Sequence, residues 1–104
     1  MLNFLKNIFR SAPPVDFKSF VENGAIILDV RSKGEFMSGH IPGALNIPVD
    51  VLGGQISRIP KGKTIITCCA SGNRSGMAKN ILRSKGFESV YNGGGWSSLQ
   101  NKIR

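Results

Sequence analysis

Short apolar runs alternate with helical segments along the chain. Two of the runs, AIILDV at residues 25–30 and TIITC at residues 64–68, are rich in β-branched side chains. Such continuous runs are typical of strands that are buried on both faces of a sheet. Shorter extended segments are predicted from Ala44 to Ile47 and from Ser89 to Tyr91. The pattern therefore predicts four strands along the chain.

Helical patterns separate the runs. Residues 15–24 carry apolar side chains on one side, with Asp16 near the start and Gly24 just past the end. Residues 32–40 predict a brief helix or turn, and residues 51–59 are weakly helical. The helix after TIITC has a predicted inner face of four apolar residues, Met77, Ala78, Ile81 and Leu82.

The end of the chain is punctuated by glycine. Gly86 follows basic residues and signals the end of the helix after TIITC. The three glycines at residues 93–95 are predicted to form a loop, and a terminal helix is predicted to start near Trp96. Strands and helices therefore alternate over the whole of this region.

This alternation implies an α/β fold, with a central, mostly parallel sheet of about four to five strands flanked by helices on both faces. The 104 residues fit one domain, predicted at residues 15–104. In such folds, ligands bind outside the carboxyl ends of the strands. The residues that come directly after TIITC are therefore the first candidates for a site.

Residues 1–14 are predicted to form an amphipathic arm or helix. Apolar residues lie at helical spacing beside Lys6 and Arg10, and Pro13 and Pro14 separate the segment from the predicted domain. It is too short for a transmembrane segment and lacks the features of a secretory signal. We expect it to pack on the domain; binding to a membrane surface or a partner is the alternative.

The chain is basic, with a formal net charge of +8. Its basic residues are dispersed and lack the interleaved aromatic side chains of a nucleic-acid stacking surface. We therefore expect no nucleic-acid partner, and the charge favours the steering of a small anion.

Cys68 and Cys69 are adjacent in sequence. Their Cα atoms lie about 3.8 Å apart across a trans peptide, which is shorter than the roughly 4.4 Å minimum of ordinary disulfides. Both thiols are predicted to be reduced, which indicates a reducing, cytoplasmic compartment. Two vicinal cysteines and one histidine do not make a zinc site, so we expect no metal and no cofactor.

Cys69 begins the segment that carries the candidate chemistry. It is followed by small or turn-forming residues, in which backbone N–H groups can turn inward: Ala70, Ser71, Gly72 and Asn73. These groups and the positive end of the next helix would stabilise a thiolate, so the pKa of Cys69 should fall. Arg74 adds a permanent cation with a planar fork, and Ser75 can help to cap the helix.

Each of these residues also has a structural interpretation. Cys69 could be a small buried hydrophobe at a strand end, and Arg74 could be a solvated residue at a helix start. Because side chains alternate along a strand, Cys68 should point away from Cys69, which favours core packing over a resolving thiol.

Other polar side chains are predicted to support the fold. Asp29, Arg31 and Glu35 form a predicted local ion-pair set that braces the segment after the first strand, with a partly exposed salt bridge as the alternative. The only histidine, His40, lies in a proline-containing turn. We expect it to make a structural hydrogen bond rather than to transfer protons.

Three segments resemble the rhodanese domain, in the expected order. ILDVRSKGEFMSGHIPGALNIPVDVL resembles the first half of that domain, TIITCCASGNRS its active-site loop and GFESVYNGGGWSSL its closing segment. The chain is thus similar to single-domain rhodaneses from about Val15 onward. The resemblance implies a persulfide on Cys69 and a cradle made by the amides of residues 70–74.

The resemblance also implies a function. A rhodanese moves sulfane sulfur from thiosulfate, or another persulfide donor, to cyanide or a thiol acceptor, and a basic last loop residue, here Arg74, is associated with thiosulfate. Phosphatase relatives carry one more residue between cysteine and arginine, so this loop should be too tight for phosphate. The alternative is a binding module that relays or senses persulfide with a sulfur-relay protein. We expect a monomer or weak dimer.

Overall fold

A computed structural model describes residues 14–104, so the predicted N-terminal arm lies, apart from Pro14, outside the described residues. Four strands and five α-helices alternate in the described part. The strands are β1 (Ile26–Asp29), β2 (Leu45–Asn46), β3 (Ile65–Cys69) and β4 (Val90–Gly95). The helices are α1 (Phe17–Glu22), α2 (Lys33–Ser38), α3 (Val49–Leu52), α4 (Asn73–Ser84) and α5 (Trp96–Lys102), with a 3-10 turn at Ile56–Arg58.

The four strands form one parallel sheet in the order β2-β1-β3-β4. The two apolar β-branched runs are the central strands, β1 and β3, where Ile26 pairs with Ile65 and Asp29 with Cys68. The chain leaves β1 toward one edge of the sheet and returns to build the other edge from β3. A crevice therefore opens between the carboxyl ends of β1 and β3, where parallel α/β sheets bind ligands.

Helices cover both faces of the sheet, which confirms the predicted architecture. One core lies between the sheet and α3 and α4, and it includes Leu28, Leu52 and Leu82. The other lies between the sheet and α1 and α5, and it includes Ile66 and Leu99. None of the helices described here is both long and apolar enough to cross a membrane.

Side-chain caps begin the first two helices, and the cap at Asp16 was predicted from the sequence. The Asp16 carboxylate accepts a hydrogen bond from the Ser19 amide at 3.0 Å and so begins α1. Ser32 and Glu35 form a capping box at the start of α2, since each side chain accepts from the other's backbone N–H. The second cap also fixes the place of the Glu35 carboxylate beside the crevice.

The inner face of α4 differs from the prediction at Met77, whose side chain is 57% exposed. Ala78 and Leu82 are buried as predicted, but the third fully buried position is Ser75. The buried positions 75, 78 and 82 follow helical spacing. The side chain of Met77 therefore points away from the sheet. A polar residue occupies the apolar stripe because the helix begins at the site, where Ser75 makes hydrogen bonds.

The glycines at residues 93–95, predicted as a loop, belong to β4 instead. Thr67 pairs with Asn92 and Cys69 with Gly95, so β4 contributes one residue more than β3 over this stretch, which is a β-bulge. A Cβ on Gly93 would lie 2.8 Å from both Ile66 Cγ2 and the Thr67 carbonyl oxygen. Glycine therefore extends the strand by letting two backbones approach more closely than a side chain allows.

This close approach yields a stability prediction. Gly93→Ala should lower the free energy of unfolding by about 1–3 kcal/mol, because the added methyl group overpacks a site with no free space. Urea unfolding followed by circular dichroism measures the change. Gly34→Ala is the matched control, since no atom outside its chain neighbours and its own helix backbone lies within 4 Å of that Cβ, and α2 should gain stability. Equal stability of the two variants would contradict the account of Gly93.

Candidate active site

Cys69 is the last residue of β3, and α4 begins four positions later at Asn73. Gly72 makes the turn between them with φ +106°, in the left-handed region that favours glycine. The turn folds the start of α4 back over the strand end. Cys69 is consequently 1% exposed, with its sulfur enclosed by the turn.

Backbone N–H groups point at the Cys69 sulfur. The amides of Gly72 and Ser75 donate to Sγ at 3.0 and 3.3 Å. Burial alone would raise the pKa of Cys69, but the hydrogen bonds around Sγ, among them those from the backbone amides of Ser75, Gly72 and Ser71, more than offset it. The pKa of the thiol therefore lies below its ordinary value, which favours a nucleophilic thiolate.

The rest of the predicted cradle is less directly placed. In the hydrogen bonds of residues 14–104, the amides of Ala70, Asn73 and Arg74 do not donate to the sulfur. Ala70 and Asn73 are exposed at the rim of the turn. They lie beside the opening of the site. The enclosed sulfur accepts hydrogen bonds from the amides of Gly72 and Ser75.

Arg74 joins the two sides of the crevice through Glu35. Its Nη1 and Nη2 atoms donate to the two carboxylate oxygens of Glu35 at 2.7 and 2.9 Å, and both side chains stay about one-third exposed. The guanidinium lowers the pKa of Glu35 to about 2, helped by the capping bond at Ser32. The carboxylate pKa is depressed, so the pair is intact above the ordinary value of 4.5 and is lost only as the pH falls toward 2.

The predicted local ion-pair set of Asp29, Arg31 and Glu35 is therefore wrong for Glu35, whose carboxylate binds Arg74. Arg31 contacts Glu35 only through the backbone carbonyl, at 3.3 Å. Sequence proximity favoured the local partner, whereas the parallel pairing of β1 with β3 brings Arg74 next to α2.

Asp29 and Arg31 do pair, and they are buried. Arg31 Nε and Nη2 donate to the Asp29 carboxylate at 3.0 and 2.7 Å, and Nη2 also donates to the Gly39 carbonyl at 2.7 Å. The guanidinium lies 4.8 Å from the centre of the Trp96 ring. These contacts fix the segment after β1 and thereby the position of α2.

Asn92 is a contributor to the site that sequence reasoning missed. Its Oδ1 accepts from the Ser75 hydroxyl at 2.6 Å and from the Gly94 amide at 2.9 Å. Its Nδ2 donates to the Gly72 carbonyl at 3.1 Å. A single asparagine before a glycine run gives no signal of these partners, because the bulge of β4 aims its side chain at the turn.

Cys68 and His40 lie outside this arrangement, as predicted. Cys68 packs in the core on the α1 and α5 face of the sheet, and burial raises its pKa to about 12. His40 Nδ1 lies 2.7 Å from the Phe36 carbonyl oxygen, so this nitrogen donates, and the two rings stack. Within residues 14–104, no cluster of three or more histidine, cysteine or acidic side chains could hold a metal.

Several known proteins are similar to this chain in sequence. The rhodanese-like domain family matches residues 13–102. Thiosulfate sulfurtransferase GlpE of Pseudomonas savastanoi is 31% identical over 83 residues, which cover 80% of this chain and 78% of that protein. The putative sulfur carrier protein YrkF of Bacillus subtilis is 36% identical over 66 residues, which cover 64% of this chain and 36% of YrkF.

A solved structure shows the same fold. The human single-domain sulfurtransferase TSTD1 superposes with a TM-score of 0.74 at 30% identity, over 88% of this chain and 97% of that one. The family match extends over nearly all of the described residues and includes the strand ends, the cysteine turn and the bulged strand. The chain therefore belongs to the rhodanese-like sulfurtransferase family.

Proposed function

We propose that the protein is a thiosulfate sulfurtransferase, in which Cys69 carries sulfane sulfur as a persulfide. The observation that carries the proposal is the Cys69 sulfur, held by the amides of Gly72 and Ser75 on a turn that ends in Arg74. Similarity to a protein named thiosulfate sulfurtransferase supports the choice of donor.

The chemistry takes place in two displacements. The Cys69 thiolate attacks the sulfane sulfur of thiosulfate, the sulfur–sulfur bond of thiosulfate breaks, and sulfite leaves with the electron pair. A thiolate or cyanide acceptor then attacks the outer sulfur of the persulfide, and the electron pair returns to Sγ as the thiolate. Neither displacement needs a metal, a cofactor or an external oxidant.

The surface beside the turn suits an anionic donor. Arg74 and Lys33 line the same open cavity, together with the hydroxyl residue Ser32 and the acidic Asp50. Arg74 also retains surface exposure although it is paired with Glu35. A donor sulfonate can therefore approach a cation at the end of the turn that carries the thiol.

Loading of the thiol tests the function directly. Incubation with thiosulfate should add one sulfur atom to the intact protein, detected by mass spectrometry, because the thiolate retains the sulfur that sulfite releases. Cys69→Ser should abolish the gain. Cys68→Ala is the matched control and should still be loaded, since Cys68 lies in the opposite core. A protein that gains no sulfur, or that loses the gain only with Cys68, would refute the proposal.

Arg74 should distinguish charged donors from less charged ones. Arg74→Ala should lower kcat/KM for thiosulfate by about tenfold to a hundredfold, the usual value of a charge-assisted contact of about 1.5–3 kcal/mol. Transfer from an uncharged organic persulfide should change much less. Arg83→Ala removes one positive charge at the far end of α4 and controls for net charge. Equal losses with both donors would rule out the proposed role of Arg74.

The pH dependence of loading should follow the Cys69 thiol. Because the pKa of Cys69 lies below its ordinary value of 9.0, the midpoint of the loading rate against pH should lie below pH 9. The rate should fall about tenfold for each pH unit below the pKa, as the thiolate is protonated. Stopped-flow measurement of sulfite release gives the profile. A midpoint at or above pH 9 would contradict the arrangement of donors around Sγ.

A second candidate is a relay module that exchanges persulfide with a protein partner and turns over thiosulfate only slowly. Similarity to a protein named as a putative sulfur carrier favours it, and so does the exposure of Met37 and Met77, which are 72% and 57% exposed. Rapid exchange with one sulfur-carrier protein beside slow thiosulfate turnover would support it. For either function, the reduced thiols favour a cytoplasmic setting, and we propose a monomer or weak dimer.

A further inference from the structure

We propose that Asn92 is a positioning residue that holds the Ser75 hydroxyl hydrogen away from the Cys69 sulfur. The Ser75 Oγ atom lies 2.6 Å from Asn92 Oδ1 and 3.4 Å from Cys69 Sγ. Ser75 itself is fully buried, so these two atoms compete for its single hydrogen. If the hydrogen goes to Asn92 Oδ1, Ser75 can accept from the Cys69 S–H and stabilise the thiol. If it goes to Sγ, Ser75 stabilises the thiolate.

Two backbone groups fix the orientation of the Asn92 amide. Gly94 offers an N–H, which donates only, and it lies 2.9 Å from Oδ1. Gly72 offers a carbonyl, which accepts only, and it lies 3.1 Å from Nδ2. A flipped amide would set like groups against each other at both places. The atom that faces Ser75 is therefore the oxygen, an obligate acceptor.

The orientation of Asn92 determines that of Ser75. Since Oδ1 can only accept, the 2.6 Å contact requires the Ser75 hydroxyl to donate to it. The lone pairs of Oγ are then left for the Cys69 S–H at 3.4 Å. The chain of hydrogen bonds runs from the thiol through Ser75 to Asn92 and stabilises the protonated thiol. A thiolate gains the Ser75 hydrogen only if the bond to Asn92 breaks.

The charges around Cys69 do not perform this role. Arg74 on α4 is compensated by Glu35 on α2, and Asp29 on β1 is compensated by Arg31. Cys68 on β3 stays neutral at ordinary pH, because its pKa is raised to about 12. The remaining charges on this side are Lys33 and Asp50, which have opposite signs and line the open cavity with Arg74. Asn92, on β4, is uncharged and acts only by accepting the hydrogen of the Ser75 hydroxyl.

If Cys69 carries sulfur as proposed above, Asn92 acts differently on the discharged thiolate and on the persulfide. In the persulfide, the negative charge resides on the outer sulfur, and Sγ no longer needs the Ser75 hydrogen. When an acceptor thiolate takes the outer sulfur, the electron pair returns to Sγ, and that thiolate lacks one donor. Asn92 therefore leaves the persulfide unaffected and disfavours the thiolate that discharge produces.

The experiment measures the pKa of Cys69 without any sulfur donor. The rate of iodoacetamide alkylation against pH is recorded for the full chain, with the label located on Cys69 by peptide mass. Asn92→Leu keeps the approximate shape of the side chain and removes the acceptor. It should lower the pKa of Cys69 by about one unit, a tenfold rise in thiolate at a pH below both pKa values, as expected for one hydrogen bond.

The Ser75→Ala background separates positioning from a structural effect. Asn92→Leu should not shift the pKa there, because no hydroxyl hydrogen remains to be released. An unchanged or raised pKa in the single variant, or the same fall in the Ser75→Ala background, would overturn the proposal. Because alkylation needs no thiosulfate, this result is independent of whether the proposed sulfur transfer occurs.

A second variant covers a failure of Asn92→Leu to fold, which circular dichroism would show. Asn92→Asp keeps an acceptor in front of Ser75 and holds its hydrogen more firmly. It should raise the pKa of Cys69 more in the presence of Ser75 than in the Ser75→Ala background. Equal rises in the two backgrounds would show that the new charge acts directly on Cys69, and they would overturn the proposal.

Discussion

The parallel pairing of β1 with β3 is the constraint on which the site depends. It places Asp29 beside Cys68, so the segments that come after the two strands leave the sheet at the same edge. One segment carries Glu35 and the other carries Arg74, and their ion pair closes the crevice between them. The paired strands thus create both the position of the thiol and the place of the cation beside it.

The Cys69 sulfur is subject to opposing effects on its ionisation. Burial opposes ionisation, whereas the hydrogen bonds around Sγ, including those from the backbone amides at the start of α4, favour it, and the net effect lowers the pKa of Cys69. The enclosed position has a chemical advantage, because few water molecules compete for the amides that a thiolate uses. Cys68 shows the other outcome, since it is equally buried but lacks such donors, and its pKa rises to about 12.

The sequence was sufficient for features that local chemistry decides. The β-branched runs form the central strands, Asp16 begins its helix, and the turn after Cys69 encloses the sulfur. Features that depend on distant partners escaped prediction. Glu35 was assigned to a near neighbour, although its carboxylate binds a residue 39 positions later. Apolar periodicity likewise predicted Met77 on the inner face of α4. The pattern of apolar residues gives no information that the polar Ser75 lies on that face instead.

The bulge in β4 links local backbone geometry to contacts between residues that are distant in sequence. Without the extra residue, side chains beyond Asn92 would continue their alternation, and Gly94 would not turn its amide toward Oδ1. Gly94 can do so because it adopts φ +81°, and Gly93 lets the strand pass within contact of Thr67. The glycine run is therefore part of the site as well as of the sheet. It orients Asn92, Asn92 orients Ser75, and Ser75 faces the sulfur.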